Sequence, residues 1–255
     1  MRTTVAGFHG LKLRGRSPRL PAGLRIYAVG DIHGRLDLLD QMLDRIKSDL
    51  ALYPAVRPVY LFLGDYIDRG PASRATIDRL IEHGDAHEAI FLRGNHEQIA
   101  LKCLSDRGLL EKWLRLGGWE TLLSYGVACR NPTSVEQIVE LQTAFHNALP
   151  QTHFRFFRAL QNSFTCGDFF FAHAGVRPGI ALSAQSEADL LWIRQEFLSS
   201  RSNYGKIIVH GHTPASEIEV TPNRINIDTG AFATGRLTCL VIEDGSLSVI
   251  AAVIE

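Results

Sequence analysis

The chain has 255 residues with 45% hydrophobic content, enough to build a sizeable core and too much for a disordered chain. Its 27 Lys and Arg balance 27 Asp and Glu, so no net field draws it to nucleic acid or an anionic membrane. No apolar run approaches the length of a membrane span. The four cysteines (Cys103, Cys129, Cys166 and Cys239) lie far apart with no C-x-x-C spacing. They read as reduced thiols of a cytoplasmic protein, because Arg14, Arg16 and Arg19 also interrupt any signal-peptide apolar core.

In chain order, the first stretch is basic. Arg2, Lys12, Arg14, Arg16, Arg19 and Arg25 precede Gly30 without any acid, and Gly7, Gly10, Gly15, Pro18 and Pro21 break its periodicity. This predicts a solvated, weakly ordered tail over residues 1–22 and a single domain over 23–255. RIYAVG and VYLFLG then read as strands. Between them Leu36, Leu39, Met42, Leu43, Ile46 and Leu50 follow a helical period. SRATIDRLIEH predicts a second helix with Ser73 as N-cap, and AIFLRG a third strand. From about residue 99 to 160 the periodicity is helical, interrupted at Gly108, Gly117-Gly118, Gly126 and Pro132. This reads as a helical insertion, with Ser134 and Gln137 forming a capping box for its clearest helix. DFFFAH, KIIVHG and RINID return to strands. RLTCLVIEDGSLSVIAAV predicts a terminal hairpin turning at Asp244-Gly245. Strands separated by helices give an α/β fold.

Five of these strands end on metal-type ligands. The first leads to Asp31 and His33, the second to Asp65, and the third to Asn95 and His96. DFFFA leads to His173 and KIIVHG to His212. Ligands in open α/β sheets gather beyond the carboxyl ends of strands, so residues this far apart in sequence can converge. Gly30, Gly34, Gly64, Gly70, Gly94, Gly175 and Gly211 lie beside them and permit tight turns. A strand-end Asp taken singly is more often a turn or cap residue, and a single His a satisfied polar group. One pattern repeated at five strand ends decides for a metal site. Two Asp, one Asn and three His without a thiolate suit manganese first, with iron or zinc as alternatives. Six ligands exceed what one open catalytic ion needs and suit two divalent ions sharing a carboxylate, typically ~3.5–4 Å apart.

GDIHG, GDYIDRG, GNHE, HAG and GHT, in this order over residues 30–213, resemble the signature blocks of calcineurin-like metallophosphoesterases. More narrowly they are similar to the phosphoprotein-phosphatase branch in its bacterial, lambda-phosphatase-like form. The resemblance implies a sandwich of two mixed sheets flanked by helices. It implies that Asp31 and His33 hold one ion, that Asp65 bridges, and that Asn95, His173 and His212 complete the second. It further implies His96 as general acid oriented by Asp68, with Arg69 and Arg194 binding the phosphate. A water between two such ions ionises near neutral pH and attacks phosphorus. Gly117-Gly118 would lie near the substrate. His210 is expected beside the ligands without being one. His9, His83, His87, His146 and His153 have no site context, and Trp113, Trp119 and Tyr125 read as core.

The activity implied is hydrolysis of phosphoserine or phosphothreonine in proteins, extending to phosphotyrosine, or of a small phosphoester. The alternative is a symmetrical dinucleoside-polyphosphate hydrolase, a branch that tends to lack the YIDRG acid and to carry GNHD. Asp68 and Glu97 favour the protein-phosphatase side. A silent binding module would have lost ligands, and a nuclease fits poorly with neutral charge.

Overall fold

The computed structural model describes residues 2–4, 8, 11–13, 15–128 and 134–254. Gly7, His9, Gly10, Arg14, Cys129 and Pro132 lie outside the described residues. β1 (Leu24–Val29), α1 (Leu36–Leu52), β2 (Arg57–Phe62), α2 (Ser73–Ala86), β3 (Ala89–Phe91) and α3 (Asn95–Cys103) alternate as the sequence predicts. α4 (Leu110–Trp113), α5 (Trp119–Ser124), α6 (Val135–Ala148) and α7 (Gln151–Ala159) form the helical insertion. Next come β4 (Ser163–Cys166), β5 (Phe169–Ala172), α8 (Glu187–Trp192), α9 (Gln195–Leu198) and β6 (Ile207–His210). β7 (Glu219–Val220), β8 (Arg224–Asn226), α10 (Ala231–Thr234), β9 (Arg236–Glu243) and β10 (Ser246–Val253) complete the chain.

The strands form two mixed sheets, ordered β10-β9-β1-β2-β3 and β4-β5-β6-β8-β7. β1, β2 and β3 run parallel in the first, and β5, β6 and β8 run parallel in the second. Alternation decides which side chains meet. Ile26, Ala28, Val59 and Leu61 face Phe169, Phe171, Ile207 and Val209 in the core between the sheets. The other faces pack outward onto helices. Tyr27, Val29, Tyr60 and Phe62 lie against α1, α2 and the insertion, and Phe170, Ala172 and Ile208 against Leu190 and Phe197. The result is a helix–sheet–sheet–helix sandwich. Its parallel strands deliver their carboxyl ends to one edge.

Three local expectations are corrected. Ser73 does not cap α2: it is the first helical residue, and its buried hydroxyl instead accepts from Asp68 N at 3.0 Å. β4 and β7 were not legible as strands, being short and lacking a clean alternation. β4 is joined to β5 through Gly167 at φ 53°. The third correction concerns residues 1–22, whose described apolar residues are packed on the fold while Lys12, Arg16 and Arg19 stay exposed. Thr3 pairs with Val249 on the edge of β10. Phe8, Leu11, Leu13 and Leu20 join the inter-sheet core. Arg16 grips Asp168 at 2.6 and 3.2 Å. Arg2, Arg16, Arg19 and Arg25 find acids on the body of the fold. Elsewhere Ser134 does cap α6, accepting from Gln137 N, and Cys103, Cys166 and Cys239 are free thiols. The terminal hairpin turns where predicted, with Asp244 at φ 48°.

Arg2 makes the deepest of these contacts. Its guanidinium donates to both oxygens of the buried Asp49 at 2.6 and 2.8 Å, and Tyr27 donates to the same carboxylate at 2.6 Å. Burial alone would raise this carboxyl, but Arg2 and Tyr27 hold it below the usual range. Arg2→Ala is therefore expected to lower stability by about 1–2 kcal/mol at neutral pH. A depressed carboxyl stabilises above its unfolded value and loses this as pH falls through its folded one. Urea unfolding of the two proteins should differ at pH 7 and converge in acid.

Candidate active site

The loops that leave the parallel strands are conformationally unusual. Six described non-glycine residues have a left-handed backbone, and five of them are His33, Asp65, Asp68, Arg69 and His212. This region costs an L-residue roughly 1–2 kcal/mol, so the surrounding contacts must hold it. Glu97 does much of that holding. Its buried carboxylate accepts from the backbone N–H of Asp65, Tyr66, Ile67 and Gly94, at 2.8–3.2 Å. The turns also touch each other: a Cβ on Gly94 would stand 2.1 Å from Asp65 Oδ1. Only glycine lets these two loops approach so closely.

All six predicted ligands converge and are buried, none more than 5% exposed. His33 Nδ1 lies 2.9 Å from Ile67 O, and His173 Nδ1 lies 3.0 Å from Leu63 O. Each backbone carbonyl accepts from Nδ1 and turns Nε2 toward the other predicted ligands, the usual second contact of a metal-binding imidazole. His33 Nε2 is 3.5 Å from Asp65 Oδ2, and His173 Nε2 is 3.3 Å from Asp65 Oδ1. The two oxygens of one carboxylate thus face two different histidines. Asn95 Oδ1 and His212 Nδ1 lie 2.9 and 3.2 Å from His173 Nε2. Asp31 Oδ2 accepts from His212 N at 3.0 Å, while its Oδ1 is buried without a partner. An orphaned carboxylate oxygen beside imidazole nitrogens and an amide oxygen crowded onto one carboxylate fits a cation.

Two groups of donors could hold an ion: His33, Asp65 and His96, and Asp65, His173 and His212. Asp65 is common to both. His96 stands in the first group where the resemblance places Asp31. Its Nε2 lies 3.2 Å from the Arg69 guanidinium, whose charge opposes a cation at that nitrogen, whereas the orphaned oxygen of Asp31 has no competing partner. The charges agree. Burial first, then the charge of Asp228, pushes the Asp31 carboxyl well above its ordinary value. Burial and Asp65 push Glu97 up to about 7, and burial takes Asp228 up to about 6. Burial pulls the His173 imidazolium down, but Asp65 and Asp31 outweigh it and hold it up to about 9. A pocket of buried carboxylates that draws protons onto its neighbours is short of positive charge, which divalent ions supply.

Beside the ligands, His96 Nδ1 lies 2.6 Å from Asp68 Oδ2. Burial disfavours its cation, but Asp65 and Asp68 raise the imidazole above its ordinary value. Asp68 itself is fully enclosed. Trp113 Nε1 donates to its Oδ2 at 2.8 Å and Thr121 Oγ1 to its Oδ1 at 2.5 Å. Arg69 N donates to Gly117 O at 3.1 Å, and Gly118 packs on the Trp113 ring. The guanidinium of Arg69 lies over the Phe232 ring at 4.6 Å. Arg194 reaches Thr213, the neighbour of His212, at 3.4 Å. His210 is buried, with Nδ1 3.0 Å from Gly211 O and Nε2 facing Arg224.

A family model for calcineurin-like phosphoesterases matches residues 24–236. The chain belongs to this family. Among relatives of this phosphoesterase, a bis(5'-nucleosyl)-tetraphosphatase PrpE [asymmetrical] from Anoxybacillus flavithermus is 25% identical over 83% of this chain and 88% of its own length. Serine/threonine-protein phosphatase 2 from Escherichia coli is 28% identical over 84% of this chain and 90% of its own. In structure, a putative diadenosine tetraphosphatase superposes with a TM-score of 0.58 at 19% identity, covering 89% of this chain and 93% of that one. A cold-active protein tyrosine phosphatase mutant gives 0.61 at 14%, covering 92% and 83%. These superpositions carry the fold. The enzyme is a metal-dependent phosphatase, and none of its described helices is long and apolar enough to cross a membrane.

Several residues of the phosphoesterase site were not legible as such. Trp113 reads as helical core and Thr121 carries no signal in the sequence, since only the fold brings them to Asp68. Asp228 follows a three-residue strand, and the strand-end rule that found Asp65 could have found it. Phe232 sits on a four-residue helix between two left-handed glycines, Gly230 and Gly235, with no periodicity to mark it. Glu97 was read as a family mark, and the structure adds its role in holding the loop. Glu97→Gln places an amide donor among four N–H groups. It should cost about 2–3 kcal/mol in chemical denaturation and weaken metal retention in equilibrium dialysis.

Proposed function

We propose that this phosphatase is a dinuclear phosphomonoesterase acting on phosphoserine and phosphothreonine in proteins, extending to phosphotyrosine. The observation that carries this reading is the buried His96–Asp68 pair, 2.6 Å between Nδ1 and Oδ2. A phosphoanhydride departs as a phosphate oxygen that is stable as an anion near neutrality. A serine or threonine phosphoester departs as an alkoxide, which needs a proton. An acid held ready is therefore of most use to an ester hydrolase.

Asp31, His33 and Asp65 would hold one ion, and Asp65, Asn95, His173 and His212 the other, with manganese foremost and iron or zinc as alternatives. When bound, the two ions supply an activated water and neutralise phosphate charge. The remaining work belongs to side chains. Arg69 and Arg194 fork onto equatorial phosphate oxygens, where charge builds during in-line attack. Phe232 backs the guanidinium of Arg69. Asp68 takes the Nδ1 proton of His96 in a hydrogen bond, which orients the ring and favours its cation, as in other His–Asp pairs. The Nε2 proton then passes to the leaving oxygen. In the structure Arg69 Nη2 faces that nitrogen at 3.2 Å; a bound phosphate gives both groups separate acceptors.

A second reading, hydrolysis of dinucleoside polyphosphates, is favoured by the PrpE-type relatives. Two experiments separate them. His96→Gln should lose about 10²–10⁴-fold in kcat for a phosphoserine peptide and much less for an aryl phosphate with a good leaving group. An equal loss on both would remove His96 from the acid role. In the second, kcat/KM is compared for phosphoserine, phosphothreonine and phosphotyrosine peptides and diadenosine tetraphosphate. The phosphoprotein reading predicts that a peptide leads, and a dinucleotide leading by orders of magnitude sinks it. Chelation should abolish every activity, and added Mn²⁺ should restore it.

A further inference from the structure

A cavity of about 320 Å³ opens between α3, α4 and α8. Two of its walls begin or end at the metal centre. α3 starts with Asn95 and His96, and Arg194 follows two residues after Trp192, the last residue of α8. The Trp192 ring itself reaches the His212 ring, 6.4 Å between centroids. The Trp192 wall therefore brings one end of the cavity close to the ligand cluster.

Its polar groups are donors without acceptors. Trp192 Nε1 donates to Gln98 Oε1 at 2.7 Å. An indole can only donate, so this bond fixes the amide and, among the described residues, leaves Gln98 Nε2 without a hydrogen-bond acceptor. Lys102 and Lys112 also line the cavity. Among the described residues neither ammonium has an ion-pair partner; Lys112 lies over the Trp192 ring at 4.7 Å. The one carboxylate in the lining, Glu187, is already held by Arg93 at 2.8 Å. Three free donors, two of them cationic, stand around an apolar indole wall. That combination takes an anion on an aliphatic stem.

We propose that this cavity is a second subsite, which binds an acidic side chain flanking the phosphoresidue of a protein substrate. This rests on the phosphoprotein reading of the catalytic site. Lysine ammonium groups are mobile point charges that meet a carboxylate without demanding fork geometry, and Trp192 covers the methylenes of a glutamate. The subsite makes the enzyme selective for phosphorylation sites in acidic surroundings.

The test uses phosphoserine peptides that differ only in flanking Glu, Ala or Lys, with the wild-type protein and the Lys102→Glu/Lys112→Glu variant. The wild type should favour the Glu peptide over the Ala peptide by about tenfold in kcat/KM at low salt, through KM. The preference should shrink as ionic strength rises. In the variant it should reverse, the Lys peptide becoming the best of the three, a gain that misfolding cannot produce. Equal turnover of the three peptides by the wild type, or a Glu preference that survives in the variant, overturns the subsite. A variant impaired only in KM for diadenosine tetraphosphate, with its peptide ratios unchanged, assigns the lysines to a polyphosphate chain and also overturns it. No turnover of any peptide while the dinucleotide is hydrolysed overturns the phosphoprotein reading itself.

Discussion

The carboxylate of Asp65 is the constraint on which the rest of the molecule depends. It is buried, has left-handed backbone, and presents one oxygen to His33 and the other to His173. A charge in that position is tolerable only if cations or protons surround it. Asp31, Glu97 and Asp228 add further buried carboxyls nearby, so the pocket is organised around a deficit of positive charge. The two sheets meet at this deficit. Asp31, Asp65 and Asn95 come from one and His173 and His212 from the other, so ions held there would also tie the halves of the sandwich together.

The helical insertion is more than a cover over one sheet. Trp113 and Thr121 enclose Asp68, and Gly117 holds the backbone of Arg69. The insertion therefore fixes the surroundings of Asp68 and Arg69, while the predicted ligands leave the strand ends.

The convergence of the strand-end Asp, Asn and His residues is legible because direction is a property of sequence: parallel strands each followed by Gly and a polar residue send those residues to the same edge. What was not legible depends on distance or on missing period. Thr121 and Asp68 are 53 residues apart, and a threonine in a helix announces nothing. Ser73 fitted the cap pattern, yet the tertiary demand of Asp68 N for an acceptor took its hydroxyl. The basic segment before β1 looked solvated because its acids, Asp49 and Asp168, lie elsewhere in the chain. Phe232 and β7 belong to elements too short to show any alternation.

If the reading of Asp65 is right, two ions flank it. Anomalous diffraction from crystals soaked in Mn²⁺ locates them directly. Two peaks per chain are predicted, both within ligand distance of Asp65, one also beside Asp31 and His33 and the other beside Asn95, His173 and His212. A single peak, or one whose ligand is His96 rather than Asp31, would contradict this account of the centre.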